Sequence, residues 1–98
     1  MGEPITVRRK RLIHQSRYRG RLEADLLLGR FAERHVAALD QAQLDRYEAL
    51  IGQTDADILA WISGGVPVPP EYDHDVLDLL RSFRLVEPRL NRSDPFDL

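Results

Sequence analysis

This sequence predicts an all-α fold, a single bundle of five short helices, and three observations carry that expectation. Apolar residues recur at helical spacing across residues 22–32, where Leu22, Leu26, Leu27 and Phe31 are joined by Ala24, Leu28 and Ala32. Asp40-Gln41-Ala42-Gln43 has the form of a capping box, with Leu39 and Leu44 spaced as a hydrophobic staple. No stretch alternates apolar and polar residues as a half-buried strand does, and there is no internal repeat or low-complexity tract.

The elements follow in order. Residues 7–18 are mostly good helix formers, with Val7, Arg11 and His14, or Leu12, Ser16 and Arg19, aligned at helical spacing, and a first helix is expected over about 7–17. Gly20 then breaks the chain, since glycine is costly inside a helix and permissive at its ends. The second helix is expected over 21–36, with Arg21 and Asp25 as an i,i+4 pair. The third starts after Asp40, carries Leu44, Tyr47, Leu50 and Ile51 on one face, and ends at Gly52. Thr54 or Asp55 caps a fourth helix with Ile58, Leu59, Trp61 and Ile62, stopped by Gly64-Gly65. Val66-Pro67-Val68-Pro69-Pro70 is expected to be an extended connector. Asp73 is expected to cap a fifth helix holding Val76, Leu77, Leu79, Leu80 and Phe83, with Tyr72 and Leu77 as its staple. The ordered core is expected over about residues 7–86, with 1–6 and 87–98 as mobile ends of one domain.

At 98 residues the chain matches one domain, which buries roughly 60–65% of its unfolded surface and has little volume for an internal cofactor cavity. There is no cysteine, so disulfides and thiolate–metal sites are excluded and a reducing compartment suits the composition. No run approaches the ~20 apolar residues of a membrane span, and no apolar run follows the N-terminal basic residues as in a secretory signal. A bacterial cytoplasmic protein with no membrane insertion is the simplest expectation.

The net charge of −2 hides an asymmetry: residues 4–22 carry +7 with no acid, and residues 23–98 carry −8. Arg8 to Arg11 have no interleaved aromatic and the remaining chain is acidic, so a solvated face or a patch for an acidic protein is favoured over nucleic acid. Catalytic sets are missing as well. Ser16, Ser63, Ser82 and Ser93 lack a nucleophile elbow, Gly64-Gly65 lacks the Lys and Ser/Thr of a phosphate loop, and His14, His35 and His74 are scattered. The chain is therefore expected not to be an enzyme, and Trp61 is read as core.

One motif stands out. Arg19-Gly20-Arg21-Leu22-Glu23-Ala24-Asp25 puts a guanidinium, a bare backbone and carboxylates at a helix start, a shape suited to docking. A solvated helix start with ordinary N-terminal acids accounts for the same residues. With the ordered set Leu26-Leu27-Leu28-x-x-Phe31, Leu44-x-x-Tyr47-x-x-Leu50-Ile51, Asp57-Ile58-x-x-Trp61 and Val76-Leu77-x-Leu79-Leu80-Arg81-x-Phe83, the chain resembles the SdhE-type succinate dehydrogenase assembly factors over about residues 8–84. That family has a five-helix bundle fold, and the resemblance implies an assembly factor that binds the flavoprotein subunit of succinate dehydrogenase and promotes covalent FAD attachment. A histidine of that subunit attacks a methyl carbon of the flavin ring, so the factor supplies no nucleophile and FAD is the cofactor of the client. The fumarate reductase flavoprotein is a second candidate client. The resemblance implies Arg19, Gly20 and Glu23 as partner-binding residues, with Asp25 as a weaker candidate; His14 is another weaker candidate because it lies one or two helical turns before the motif. Arg21 stands where the family commonly has methionine. An antitoxin-like or regulatory binding module, or a nucleic-acid-binding helical module, is the alternative.

Overall fold

The structure, a computed structural model, describes residues 2–17, 19–20 and 22–86. Within them it holds five α-helices: α1 (Ile5–Arg17), α2 (Leu22–His35), α3 (Gln41–Ile51), α4 (Asp55–Ser63) and α5 (Asp75–Val86). Two 3₁₀ turns, Val36–Ala38 and Pro70–Tyr72, join α2 to α3 and α4 to α5. No strand occurs among the described residues, in agreement with the expected all-α bundle.

The capping chemistry expected at α3 is present. The Asp40 carboxylate accepts from the Gln43 amide at 2.8 Å and the Gln43 side chain accepts from the Asp40 amide at 3.0 Å, while Leu39 and Leu44 are both buried. Thr54 caps α4, and Gly64 ends it in the left-handed conformation at φ 83°. α1 starts two residues earlier than expected, because the Pro4 carbonyl accepts from the Arg8 amide at 2.9 Å and opens the first turn. The cap of α5 differs too. The 3₁₀ turn takes the Tyr72 and Asp73 amides into its own bonds, so the helix begins one residue later and His74, not Asp73, caps it. His74 Nδ1 accepts from the Leu77 amide at 3.2 Å, which leaves this ring nitrogen without a proton. Tyr72 accordingly does not act as the staple; its ring stacks on Trp61 at 5.0 Å.

The core gathers around Phe31. Its ring lies 5.5 Å from Tyr47 of α3, 5.8 Å from Phe83 of α5 and 4.9 Å from His35. Leu44, Tyr47, Leu50, Ile58, Trp61, Val76, Leu77 and Leu80 are buried as their spacing predicts. α2 is rotated relative to expectation. Its buried line is Ala24, Leu27, Leu28, Phe31 and Ala32, whereas Leu22 is 74% and Leu26 40% exposed. At 100° per residue, Leu22 and Leu26 fall on the side opposite Ala24 and Phe31, so a leucine-rich helix offers two stripes and only one is covered.

α1 buries only Leu12 and Ser16 along one line. Ser16 gives its hydroxyl proton to the Leu12 carbonyl at 2.7 Å, so in its 2.5 Å contact with the Tyr47 hydroxyl the tyrosine is the donor. Burial pushes the Tyr47 phenol well above its ordinary value, with Ser16 opposing. Ile5 and Ile13 pack against the core while half-buried, and the rest of the attachment of α1 is polar. The Arg8 guanidinium reaches Gln41, Asp45 and Glu48 of α3, and Arg11 reaches Glu3 and Glu48. Exposed pairs are worth little singly and more as a network.

This network has a pH signature. The guanidinium of Arg11, and then that of Arg8, holds the Glu48 carboxyl below the usual carboxylate range, and Arg11 does the same for Glu3. A carboxylate whose pKa is depressed by folding contributes stability above its unfolded pKa, and that contribution disappears as pH falls through the folded value. Acid unfolding below about pH 4.5 is therefore expected to be steeper in the native chain than in Glu48→Gln. Equal slopes in a circular-dichroism titration would refute the role of the network.

Candidate functional site

The segment between α1 and α2 turns on Gly20, whose φ of 97° lies in the left-handed region that L side chains adopt at a cost of about 1–2 kcal/mol. Arg19 fixes it there. Its Nε donates to Asp55 Oδ1 at 2.5 Å, Nη1 to the Ile51 carbonyl at 2.7 Å and Nη2 to the Gln53 carbonyl at 2.8 Å. The guanidinium thus sits at the carboxyl end of α3 and the amino end of α4, where helix dipoles favour a cation and an acid respectively. The pair is well covered, with side chains 11% and 15% exposed. Asp25, one turn into α2, accepts from the Arg19 backbone amide at 2.6 Å and closes the loop from the other side.

The five residues singled out in the sequence therefore divide. Arg19 and Asp25 are engaged inside the chain and shape the corner. Gly20 is exposed, and a Cβ built on it would meet no atom within 4 Å, so its bare backbone looks into open space. Glu23 is exposed on the first turn of α2 and makes no ion pair among the described residues. His14 lies on the exposed side of α1, opposite Leu12 and Ser16, and the contacts that hold Gly20 are made without it. Arg21, and with it the expected pairing of Arg21 with Asp25, lies outside the described residues, as does the segment from 87 onward.

The accessible face of this corner is thus Gly20, Leu22, Glu23 and Leu26: an open backbone and a carboxylate beside two exposed leucines. An exposed apolar pair next to an uncovered polar group is the composition of a protein-docking surface. The basic run of α1 contributes less than its formal charge suggests, because α3 acids neutralise Arg8 and Arg11 and Arg9 donates to the Leu39 carbonyl at 2.9 Å. Among the described residues no group of three or more His, Asp or Glu is arranged to hold a metal ion, and no helix is long and apolar enough to cross a membrane.

Sequence reasoning missed two features of this region. Gly29 is buried inside α2, where an added Cβ would come within 3.3 Å of the Arg17 Cγ and 3.7 Å of its Cα. It permits the close crossing of α1 over α2 that positions the Gly20 corner, and a glycine within a helical pattern was the available signal. The second is a groove beside Glu23, formed with α4 and α5, which no local pattern announces.

Residues 10–84 match the family model described as the flavinator of succinate dehydrogenase. The chain belongs to this family. Proteins named succinate dehydrogenase assembly factor 2, mitochondrial, are similar to it. That of Drosophila grimshawi is 42% identical over 82 residues, which is 82% of this chain and 56% of the relative. That of Aedes aegypti is 42% identical over 82% of this chain and 51% of its own length, and that of the yeast Debaryomyces hansenii 48% identical over 70% and 49%. The chain thus spans about half the length of these relatives. They overturn the expectation of a bacterial cytoplasmic protein, since these family members are mitochondrial proteins of insects and a yeast. The physical reason for that error is plain: absent cysteine is compatible with any reducing compartment and does not tell one from another.

Proposed function

We propose that this chain is a non-catalytic assembly factor that binds the flavoprotein subunit of succinate dehydrogenase and promotes covalent attachment of FAD to it. The observation that carries the reading is Gly20, held in the left-handed region by Arg19 and Asp25 yet open to solvent on its free side. A partner's backbone approaches such a site closely, Glu23 accepts a hydrogen bond from it, and Leu22 and Leu26 add apolar contact. Family membership and the relatives' names point the same way.

The chemistry belongs to the client, whose histidine and bound FAD supply both ends of the new bond. This chain acts by binding the flavinylation-competent arrangement of the subunit more tightly than others, which shifts the population toward it. We place FAD with the flavoprotein and assign this chain no cofactor of its own; it works in the manner of a chaperone. Arg19 and Asp25 serve as positioning residues for Gly20 and Glu23.

Covalent flavin is read directly as ultraviolet fluorescence of the denatured flavoprotein band. In cells lacking this gene the band is expected to be lost, restored by the wild-type chain, and not restored by Gly20→Arg. Glu23→Ala is expected to restore it weakly while leaving the thermal midpoint unchanged. An undiminished band in the deletion strain would defeat the assignment of function, and full restoration by Gly20→Arg would defeat the site.

A further inference from the structure

The groove beside the motif has a composition of its own. Its floor is the outer side of α4, where Ala56, Leu59, Ala60 and Ser63 follow one another at i, i+3, i+4 and i+7. Ala56, Ala60 and Ser63 face away from Ile58, Trp61 and Ile62, which point into the core, and Leu59 lies at the edge, half-buried against that core. One wall is Glu23 of α2 and the other is Arg84 of α5.

The two walls carry opposite charges that no side chain among the described residues compensates. Arg8, Arg11, Arg17, Arg19 and Arg46 each reach a carboxylate in the chain. The Arg84 and Glu23 side chains make no ion pair or hydrogen bond with the described residues, and neither bridges the groove to the other. The small side chains of Ala56, Ala60 and Ser63 on the floor leave room for a side chain between the walls. Glu23 and Asp25 are two positions apart and so point to opposite flanks of α2; Asp25 is spent on the Gly20 corner and Glu23 faces the groove.

We propose that this groove receives an extended segment of the flavoprotein subunit which offers a carboxylate to Arg84, an N–H donor to Glu23 and an apolar side chain to the α4 floor between them. The inference rests on the proposed function and deepens it: Glu23 is then one wall of a longer seat, and docking extends from Gly20 across α4 to α5. Arg84 selects for an acidic residue in that segment, because a guanidinium matches a carboxylate in both charge and geometry.

The test measures binding of the purified, FAD-loaded flavoprotein subunit of succinate dehydrogenase to the immobilised full chain. Arg84→Glu and Ala56→Trp are expected to raise Kd by about tenfold or more. Both are expected to fold, since the Arg84 side chain has no partner among the described residues and Ala56 is exposed; unchanged helicity and thermal midpoint verify this. If both variants bind within twofold of wild type while Gly20→Arg does not bind, the groove is refuted and the docking face at Gly20 stands. If the wild-type chain itself does not bind, the proposed function fails and the groove falls with it. A photo-crosslinking residue at Ala60 then identifies the occupant. A flavoprotein peptide containing Asp or Glu supports the proposal. A peptide without either, or a cross-link to a second copy of this chain, overturns it.

Discussion

Arg19→Ala is expected to lower the stability of the bundle by about 3 kcal/mol, the cost of leaving one member of a covered ion pair without its partner. Asp55, which is 15% exposed at its side chain, would remain facing the ends of α3 and α4, and the Ile51 and Gln53 carbonyls would lose their donors. For a domain of this size the thermal midpoint should fall by roughly 15 °C. Arg19→Lys keeps the charge but not the fork, and should recover only part of the loss. Glu23→Ala, by contrast, should stay within about 0.5 kcal/mol, since its carboxylate is exposed and holds nothing in the fold. The pair of results separates residues that build the docking corner from residues that serve it. An Arg19→Ala midpoint within about 3 °C of wild type would show that the guanidinium is not the latch.

Phe31→Ala carries the other large effect, about 4 kcal/mol, from the lost transfer energy of the ring and the cavity left in its place. The ring lies between Tyr47 of α3 and Phe83 of α5, so its loss loosens both contacts of α2 at once. Against a total stability of about 5–15 kcal/mol this leaves a marginal fold. Leu26→Ala, one and a half turns earlier, should change stability by no more than about 0.5 kcal/mol and weaken partner binding instead. Denaturant midpoints of the two variants decide the rotation of α2. A reversed ranking would mean that Leu22 and Leu26 face the core after all.

Much of the fold is legible in short windows of the sequence. Asp40 with Gln43, Thr54, and Gly64 act through bonds that span at most four residues, so their roles follow from spacing. The buried line of α3 is legible because that helix has a single apolar stripe, and in α4 Ile58, Trp61 and Ile62 are buried as expected while Leu59 turns to the groove. α2 is not, because five leucines and alanines within seven residues, 22–28, are compatible with two orientations. The α5 cap lies one residue later than expected because the Pro70–Tyr72 turn extends through the Asp73 amide, while the Val76 amide, which an Asp73 cap would take, donates to the Asp75 carboxylate.

The site divides along the same line. The sequence by itself determined that a glycine precedes a helix with acids in its first turn, that no cysteine chemistry is available, and which family the motif set belongs to. Tertiary structure decided what each residue does. Arg19 looks like a free cation in the sequence, and it becomes a latch because Ile51, Gln53 and Asp55, 32 to 36 positions away, converge on it. Arg8 and Arg11 lose their apparent surplus charge to α3 in the same way. Local geometry depends on neighbours a turn away and can be inferred from spacing. The compensation of a charge depends on which distant segment is brought beside it, and only the packed chain specifies that.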